Sequence, residues 1–221
     1  MVTAARRKLE IEPTSHRFCD PKTGLYTQAR LSLHLEIVAI MRKGIRPEKK
    51  PRAVIVIGPP ASGKNRFLST LLKTEVHGCV IVDNDEIKGR LPGFVPHLAA
   101  AYHQESSYVE MQLVGQCMIE QESMVLLMVG RDTKKLSTFI GLLKEAGYHT
   151  KLILLDLAPT VAASRALERY KSGGRYVDPQ YIVEEVALTP LGTYVTLKSE
   201  TNEYAHYSAQ EKPPRLVEEG P

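Results

Sequence analysis

The sequence contains no tryptophan, only four phenylalanines and only three cysteines among its 221 residues. Cys19, Cys79 and Cys117 are odd in number, widely spaced and without a CxxC pair, which argues against a disulfide framework and a zinc site. No run approaches the ~18 consecutive apolar residues of a membrane span. Met1–Glu10 lacks the apolar centre of a secretory signal. We therefore predict a soluble, cytoplasmic protein with reduced thiols and no membrane partner.

Charge is unevenly distributed along the chain. The formal net charge is +4, yet Arg42–Arg52 (RKGIRPEKKPR) alone holds six basic residues and one acid. Pro47 and Pro51 interrupt this stretch, and no aromatic residue is interleaved with the basic ones. Platforms for single-stranded nucleic acid combine basic side chains with aromatic ones on which bases stack. The stretch is therefore interpreted as a solvated connection, and we expect no nucleic-acid partner.

The length and composition favour one large domain. With 43% apolar residues the chain can bury a sizeable core, and one domain with additions is simpler than two small ones. We assign residues 1–25 to a polar N-terminal arm, residues 26–208 to the main domain and residues 209–221 to a flexible tail. Apolar positions three and four residues apart predict a helix from Thr27 to near Gly44.

Short apolar runs alternate with helical patterns along the rest of the main domain. Strands that are apolar throughout and separated by helices are typical of a parallel sheet covered on both faces. The sequence therefore predicts a doubly wound α/β fold of the P-loop type with an N-terminal helical extension. The predicted strands are Ala53–Ile57, Cys79–Val82, Met124–Val129 and Lys151–Leu155, and a late hairpin is predicted from Thr193–Lys198 and Glu203–Tyr207.

The segment Gly58–Lys64 (GPPASGK) follows the first predicted strand and precedes a helix. In this context glycines let backbone N–H groups turn toward a phosphate, the helix N-terminus adds positive potential, and a lysine reaches the transferred phosphate. A Gly-Pro turn between unrelated elements is the alternative. We predict a phosphate-binding loop for a nucleotide, formed by Gly58, Pro59, Pro60, Ala61, Ser62, Gly63, Lys64, Asn65 and Arg66.

Two carboxylates follow the second predicted strand, at the edge where ligands bind in open α/β sheets. Asp83 and Asp85 are two residues apart and would project to the same side of an extended chain. One can orient the Mg²⁺ hydration shell while the other accepts the proton of an attacking hydroxyl. An N-cap for the following turn is the alternative. For Mg²⁺ we nominate Asp83 with Asn65, whose carbonyl oxygen replaces the Ser or Thr hydroxyl usual after the loop lysine.

Arginines follow the fourth predicted strand. Arg165 and Arg169 are four residues apart on one predicted helix face, where like charges repel unless an anion intervenes. Arg175 lies in the glycine-containing segment Lys171–Val177 (KSGGRYV), which suits a lid that closes over a triphosphate. Surface pairing of these arginines with Glu168 and Glu185 is the alternative.

The motifs GPPASGK, IVDNDEIKGRLPGF, HQESS and LERYKSGGRYV, in this order and spacing, resemble those of the zeta toxin family of P-loop kinases. The resemblance covers roughly Ala53–Ile182. It implies that the family's phosphate-binding lysine corresponds to Lys64 and its catalytic base to Asp85. It also implies that the phosphate-contacting arginines correspond to Arg169 and Arg175.

The resemblance extends to the acceptor side of the site. It implies a substrate-contacting glutamate at Glu105, with Glu110 near enough in sequence to compete for the role. Asp83 and Arg131 are further candidates for contact with the acceptor. His103 could contribute to a polar pocket, although a lone histidine is more often a surface or core residue.

The implied activity is Mg²⁺-assisted transfer of the γ-phosphate of ATP or GTP to a hydroxyl of a nucleotide-like small molecule. UDP-N-acetylglucosamine and dinucleotides such as NAD are the implied acceptors, and an antitoxin protein is the implied partner. The sequence departs from the family at two places. Asn65 replaces the usual Ser or Thr, and Val129–Arg131 stands where an acidic residue, Gly and Thr are usual. Two alternatives therefore stay open: a kinase of a simple sugar or antibiotic, and a nucleotide-binding module without catalysis.

Overall fold

The computed structural model describes residues 12–221. Its six strands are β1 (Arg52–Ile57), β2 (Val80–Asp83), β3 (Met124–Met128), β4 (His149–Asp156), β5 (Glu203–Ser208) and β6 (Arg215–Gly220). They form one sheet in the order β2-β3-β1-β4-β5-β6, parallel except for β6, which is antiparallel to β5. Eight α-helices accompany them within the described residues: α1 (Thr14–Phe18), α2 (Gln28–Met41), α3 (Lys64–Thr70), α4 (Asn84–Arg90), α5 (His103–Glu120), α6 (Thr133–Glu145), α7 (Pro159–Lys171) and α8 (Thr189–Leu197). Two short 3-10 helices, Pro96–Leu98 and Lys198–Glu200, and a π-helical turn at Tyr181–Val186 lie between them.

The central strands are apolar on both faces because both faces are covered. Successive strand residues point to opposite sides. Ile55 of β1 belongs to a core cluster with Leu113 of α5, whereas the next residue, Val56, packs in a second cluster with Phe67 of α3. Helices α2, α5, α6 and α8 contribute to the first cluster, and α3 and α7 to the second. The prediction of a doubly wound α/β fold is confirmed.

The N-terminal arm is described only in part. Residues 1–10, on which the argument against a secretory signal rests, lie outside the described residues. In the remainder of the arm, the backbone N–H of Thr14 in α1 donates to the Ala101 carbonyl at 2.9 Å, so this part of the arm packs on the domain. Between residues 12 and 221, no helix has both the length and the apolarity needed to cross a membrane.

The predicted late hairpin is wrong in its first strand. Thr193–Lys198 continues α8 and the short turn after it, and β5 instead pairs in parallel with β4. The buried residues Pro190, Thr193, Tyr194 and Leu197 follow helical spacing, and their packing overrides the β-propensity of Thr, Tyr and Val.

The expectation of a loose tail over residues 209–221 also differs from the structure. Arg215–Gly220 forms β6, which pairs with β5 at the edge of the sheet. Lys198 Nζ donates to Glu218 of this strand at 2.9 Å. Because β6 is an edge strand with a largely exposed, polar sequence, its composition resembles that of a flexible tail.

Candidate active site

The loop between β1 and α3 is shaped by close backbone contacts. A Cβ on Gly58 would lie 2.4 Å from the carbonyl oxygen of Leu155, so only glycine fits against β4 at this position. Gly63 has a φ of 91°, in the left-handed region that favours glycine, and it turns the chain into α3. The loop therefore ends at a helix N-terminus, where backbone N–H groups and the helix dipole favour an anion.

Lys64 is the first residue of α3 and lies inside the curve of the loop. Its Nζ donates to the carbonyls of Gly58 at 2.8 Å and Pro59 at 3.1 Å. Desolvation by burial, assisted by the charge of Arg175, lowers the pKa of Lys64 to about 8. The ammonium is thus held at the loop by neutral carbonyl groups, and its positive charge is available for a bound phosphate.

Asn65 and the two carboxylates after β2 are joined by hydrogen bonds. Asn65 Nδ2 donates to Asp83 Oδ2 at 2.8 Å, and the Asp85 backbone N–H donates to Asp83 Oδ1 at 2.9 Å. Asp83 is therefore the N-cap of α4, as the alternative interpretation expected. Capping leaves further lone pairs on its carboxylate, and the Asn65 amide adds an oxygen, so this donor set fits the oxygen preference of Mg²⁺.

Asp85 is paired with two cations, one from the segment after α7 and one from its own helix. Its Oδ1 accepts from Arg175 Nη1 at 2.8 Å and from Lys88 Nζ at 3.2 Å. Its side chain is 39% exposed, whereas Lys88 is 4% exposed. The Asp85 carboxylate is thus accessible from the cavity, and its hydrogen bonds to Arg175 and Lys88 fix its orientation. This arrangement is compatible with proton transfer from a bound hydroxyl.

Arg165, Arg169 and Arg175 line the same cavity. Arg169 Nε and Nη2 and Arg175 Nε are buried without a hydrogen-bond partner in the described part of the chain. A Cβ on Gly174 would lie 2.7 Å from Arg169 Cγ, so glycine here lets the lid segment approach α7. Burying guanidinium N–H groups without a hydrogen-bond acceptor costs free energy, and a bound anion would supply the missing acceptors. A polyphosphate group has suitable oxygens for this role.

The opposite wall of the cavity is polar and belongs to α4 and α5. Asn84 Nδ2 donates to Glu110 Oε2 at 2.7 Å, and Ser106 Oγ donates to Asn84 Oδ1 at 2.9 Å. Burial raises the pKa of Glu110, while the bond from Asn84 opposes that change. His103 lies on the same wall, and burial lowers its pKa. Asn84, His103 and Glu110 line the cavity and give this wall polar groups for a second ligand facing the loop, while Ser106 supports Asn84 from inside the protein.

The whole cavity measures about 550 Å³ and lies at the carboxyl edge of β1, β2 and β3. A chain region containing this site matches a known family: residues 38–196 match the family model described as zeta toxin. This chain belongs to the zeta toxin family. A comparison with curated protein sequences gave no match.

Solved structures similar to this zeta toxin family member share its fold. A chain from the PezAT chromosomal toxin-antitoxin system of the human pathogen Streptococcus pneumoniae has a TM-score of 0.71 at 17% identity, over 88% of this chain and 82% of that chain. The AvrRxo1-ORF1:AvrRxo1-ORF2 structure with sulphate ions gives 0.73 at 18%, over 95% and 77%. The AvrRxo1-ORF1:-ORF2 structure with ATP gives 0.70 at 18%, again over 95% and 77%.

The cavity of this zeta toxin family member brings together most of the residues nominated from the sequence. Predicted loop and site residues that do not line it are Gly58, Pro59 and Ser62, which form the back of the loop, and Glu105 and Arg131. Those that do line it are Pro60, Ala61, Gly63, Lys64, Asn65, Arg66, Asp83, Asp85, Arg169 and Arg175.

Glu105 lies inside the protein rather than at the cavity, so the structure does not support substrate contact there. Its fully buried carboxylate is paired with Arg30, whose Nη2 donates to Oε2 at 3.0 Å, and lies 2.7 Å from His34 Nε2. Desolvation opposes ionisation, but the hydrogen bonds from His34 and Arg30 lower its pKa to about 2. The competing residue, Glu110, is the glutamate of α5 that lines the cavity.

Arg131 is likewise turned away from the cavity. It is exposed, donates to Glu185 at 3.1 Å, and lies over the Tyr181 ring at 5.7 Å. A Cβ on Gly130, whose φ is 77°, would lie 2.8 Å from Ile57 Cβ, so the chain passes close to β1 and then leaves the site. Glu185 therefore pairs with Arg131, and surface pairing does not account for Arg169 or Arg175.

Lys88 is a cavity residue that the sequence reasoning missed. Its signal was present as the lysine of DNDEIK, three residues after Asp85. On a helix this spacing places the two side chains on the same face.

Proposed function

We propose that this zeta toxin family member transfers the γ-phosphate of ATP to a hydroxyl of a nucleotide-like small molecule. The observation that carries the proposal is the convergence of Lys64, Asp85 and the cavity arginines around one space at the end of a phosphate loop. Family membership and the ATP complex of a structure with the same fold support it. The same ATP complex favours ATP over GTP as the donor.

In this proposal the loop amides and Lys64 hold the β- and γ-phosphates. Arg169 and Arg175 neutralise charge on the transferred group, a role to which their unpartnered buried nitrogens are suited. Asp83 and Asn65 would hold Mg²⁺, which supplies charge neutralisation at the phosphate oxygens when bound.

Asp85 acts on the acceptor. As the acceptor oxygen bonds to the γ-phosphorus, the bond from that phosphorus to the bridging oxygen of ADP breaks. The hydroxyl proton passes to the Asp85 carboxylate, and ADP leaves with the bridging electrons. The polar wall of Asn84, His103 and Glu110 would hold the acceptor against this carboxylate.

The nature of the cavity supports a nucleotide-like acceptor. Its volume of about 550 Å³ lies within the ~300–1,000 Å³ of small-molecule sites. Six lysines and arginines line it against three carboxylates, an excess that suits an acceptor with its own phosphates. A nucleotide sugar such as UDP-N-acetylglucosamine, or a dinucleotide such as NAD, has these properties.

We further propose an antitoxin protein as a partner, acting in the cytoplasm where ATP is available. The support is the fold shared with a chain of the PezAT toxin-antitoxin system.

The proposed reaction is tested by incubating the protein with γ-labelled ATP, Mg²⁺ and separate acceptors. The acceptors are UDP-N-acetylglucosamine, NAD, a hexose and an aminoglycoside, and products are identified by mass spectrometry. We expect phosphorylation of a nucleotide-containing acceptor. Phosphorylation of the hexose or aminoglycoside alone would support a simple small-molecule kinase. ATP binding without transfer to any acceptor would support a non-catalytic module.

Lys64→Met is expected to weaken ATP binding about tenfold or more, because it removes a charge-assisted contact to phosphate while keeping the side-chain length. Isothermal titration calorimetry measures the affinity, and circular dichroism checks the fold. Lys73→Met, which changes an exposed lysine just after α3, is the matched control and should bind ATP normally. Equal affinity in both variants would rule out the loop assignment.

Asn65→Thr is expected to lower the Mg²⁺ concentration needed for half-maximal turnover. The Asn65 amide is longer than a hydroxyl and its NH₂ group is committed to Asp83, whereas Thr can donate to Asp83 and offer the same oxygen to the metal. Magnesium titrations at saturating ATP compare the two proteins. A wild type that saturates at lower Mg²⁺ than the Thr variant would contradict this account.

A further inference from the structure

Lys88 is a buried lysine of α4 that lines the cavity. It is 4% exposed, and its neighbour Ile87 already supplies α4 with a fully buried apolar contact. Desolvation by burial lowers its pKa, which records the free-energy cost of keeping an ammonium there. A methionine would fill a similar volume without that cost. We therefore look for the role of this charge in the cavity that Lys88 lines.

The Lys88 ammonium can donate three hydrogen bonds. Within residues 12–221 it donates one, to Asp85 Oδ1 at 3.2 Å. The same oxygen accepts from Arg175 Nη1 at 2.8 Å. The carboxylate of the proposed base is thus held by two cations on one oxygen. Oδ2 receives neither of these bonds and is left for an acceptor hydroxyl.

The two cations differ in how they are anchored. Lys88 lies on the same helix as Asp85, one turn further along, so the pair keeps its geometry as long as α4 is intact. Arg175 instead follows Gly173 and Gly174, and its buried Nε has no partner in the described residues. A bound triphosphate carries more negative charge than one carboxylate and offers bidentate oxygens, so it competes strongly for this guanidinium.

We infer that Lys88 is a positioning residue that keeps the Asp85 carboxylate directed into the cavity when Arg175 turns from Asp85 to the phosphates. The inference rests on the proposed function, because it takes Asp85 as the base. Lys88 contacts neither phosphate nor acceptor in this account and acts through Asp85 alone. Its loss should therefore affect turnover rather than binding of either substrate.

The kinetic test uses three variants and the acceptor that the wild type phosphorylates in the panel above. Lys88→Met should lower kcat about 10- to 100-fold, the range expected when a reacting group is misplaced by about 1 Å, with KM for both substrates within about twofold. Lys88→Arg keeps the cation and should recover most of the lost kcat. Arg90→Met removes a cation from the exposed side of the same helix and should behave as wild type.

An unchanged kcat in Lys88→Met would overturn the inference, and so would a rise in KM alone. A loss of kcat that Lys88→Arg does not recover would overturn it as well, since it would indicate a packing defect. If Lys88→Met is not folded by circular dichroism, Lys88→Gln, which keeps a polar donor without the charge, takes its place.

A structural readout separates this inference from the proposed function. Crystal structures of the wild type and Lys88→Met are compared with the non-hydrolysable analogue AMP-PNP bound. We expect the Asp85 carboxylate to face the cavity in the wild type and to rotate away in the variant. An unmoved Asp85 would overturn the inference even if phosphotransfer is found. A rotated Asp85 would support it even if no acceptor in the panel is phosphorylated, in which case only the proposed function fails.

Discussion

Asp85→Asn should slow phosphotransfer by about 10²- to 10⁴-fold, the usual effect of removing a general base. Asn has nearly the same shape but accepts no proton, so a bound hydroxyl loses the group that takes its hydrogen. ATP affinity should be equal to or higher than in the wild type, because Arg175 is released from its ion pair with Asp85 and can turn to the phosphates. Single-turnover rates and ATP titrations measure the two effects separately.

The matched control for this substitution is Glu86→Gln, the next residue of α4. Its carboxylate pairs with Arg90 on the exposed side of the helix, so its loss should leave the rate unchanged. Equal rates for Asp85→Asn and the wild type would move the base to another cavity carboxylate, Glu110 or Asp83, or indicate catalysis by positioning alone.

Glu105→Gln should lower the free energy of unfolding by about 3–5 kcal/mol, the range for removing one partner of a buried ion pair. The variant leaves the buried Arg30 guanidinium with an amide in place of a carboxylate, between α2 and α5. Urea unfolding measures the change. Glu120→Gln, on the exposed end of the same helix, is the control and should be within about 0.5 kcal/mol of the wild type.

The same carboxylate gives the wild type a defined acid sensitivity. The pKa of Glu105 is about 2 in the folded protein against 4.5 for the unperturbed group, so the folded state binds this proton less readily. Its contribution to stability is fully present above pH 4.5 and is lost as the pH falls toward 2. Glu105→Gln should show a shallower decline in that window. An equal slope in both proteins would mean that this carboxylate is not held ionised.

Several parts of the fold and the candidate site follow from local sequence. The run AVIVI and the glycines after it predict a buried strand and a phosphate loop, because both depend on short-range chemistry. The carboxyl ends of parallel strands meet at one edge of the sheet, so the sequence alone predicts that Lys64 and Asp85 lie near each other. Strands β1 to β4 were predictable from their apolar runs, whereas β6 and α8 were not.

Other parts depend on which face of a helix turns inward. Glu105 and Glu110 both lie on α5, and only the packing of α2 against that helix decides that Glu105 is buried with Arg30 while Glu110 faces the cavity. Arg131 follows a strand as a site residue would, yet the close approach of Gly130 to Ile57 turns it outward. The orientations of Glu105, Glu110 and Arg131 depend on contacts between segments far apart in sequence, and a local sequence pattern does not predict such contacts.

The position of β1 in the sheet has a consequence for synthesis of the protein. Its two neighbours, β3 and β4, both come later in the chain. After Ile57 is added, a ribosome must add roughly 100 residues before β4 ends at Asp156, which takes about 5–20 s at ~5–20 residues per second. Until β3 has been added, the AVIVI segment has no strand of the sheet beside it, and its other edge stays unpaired until β4 follows. A phosphate loop that follows a fully paired central strand can therefore form only after β4 has been added.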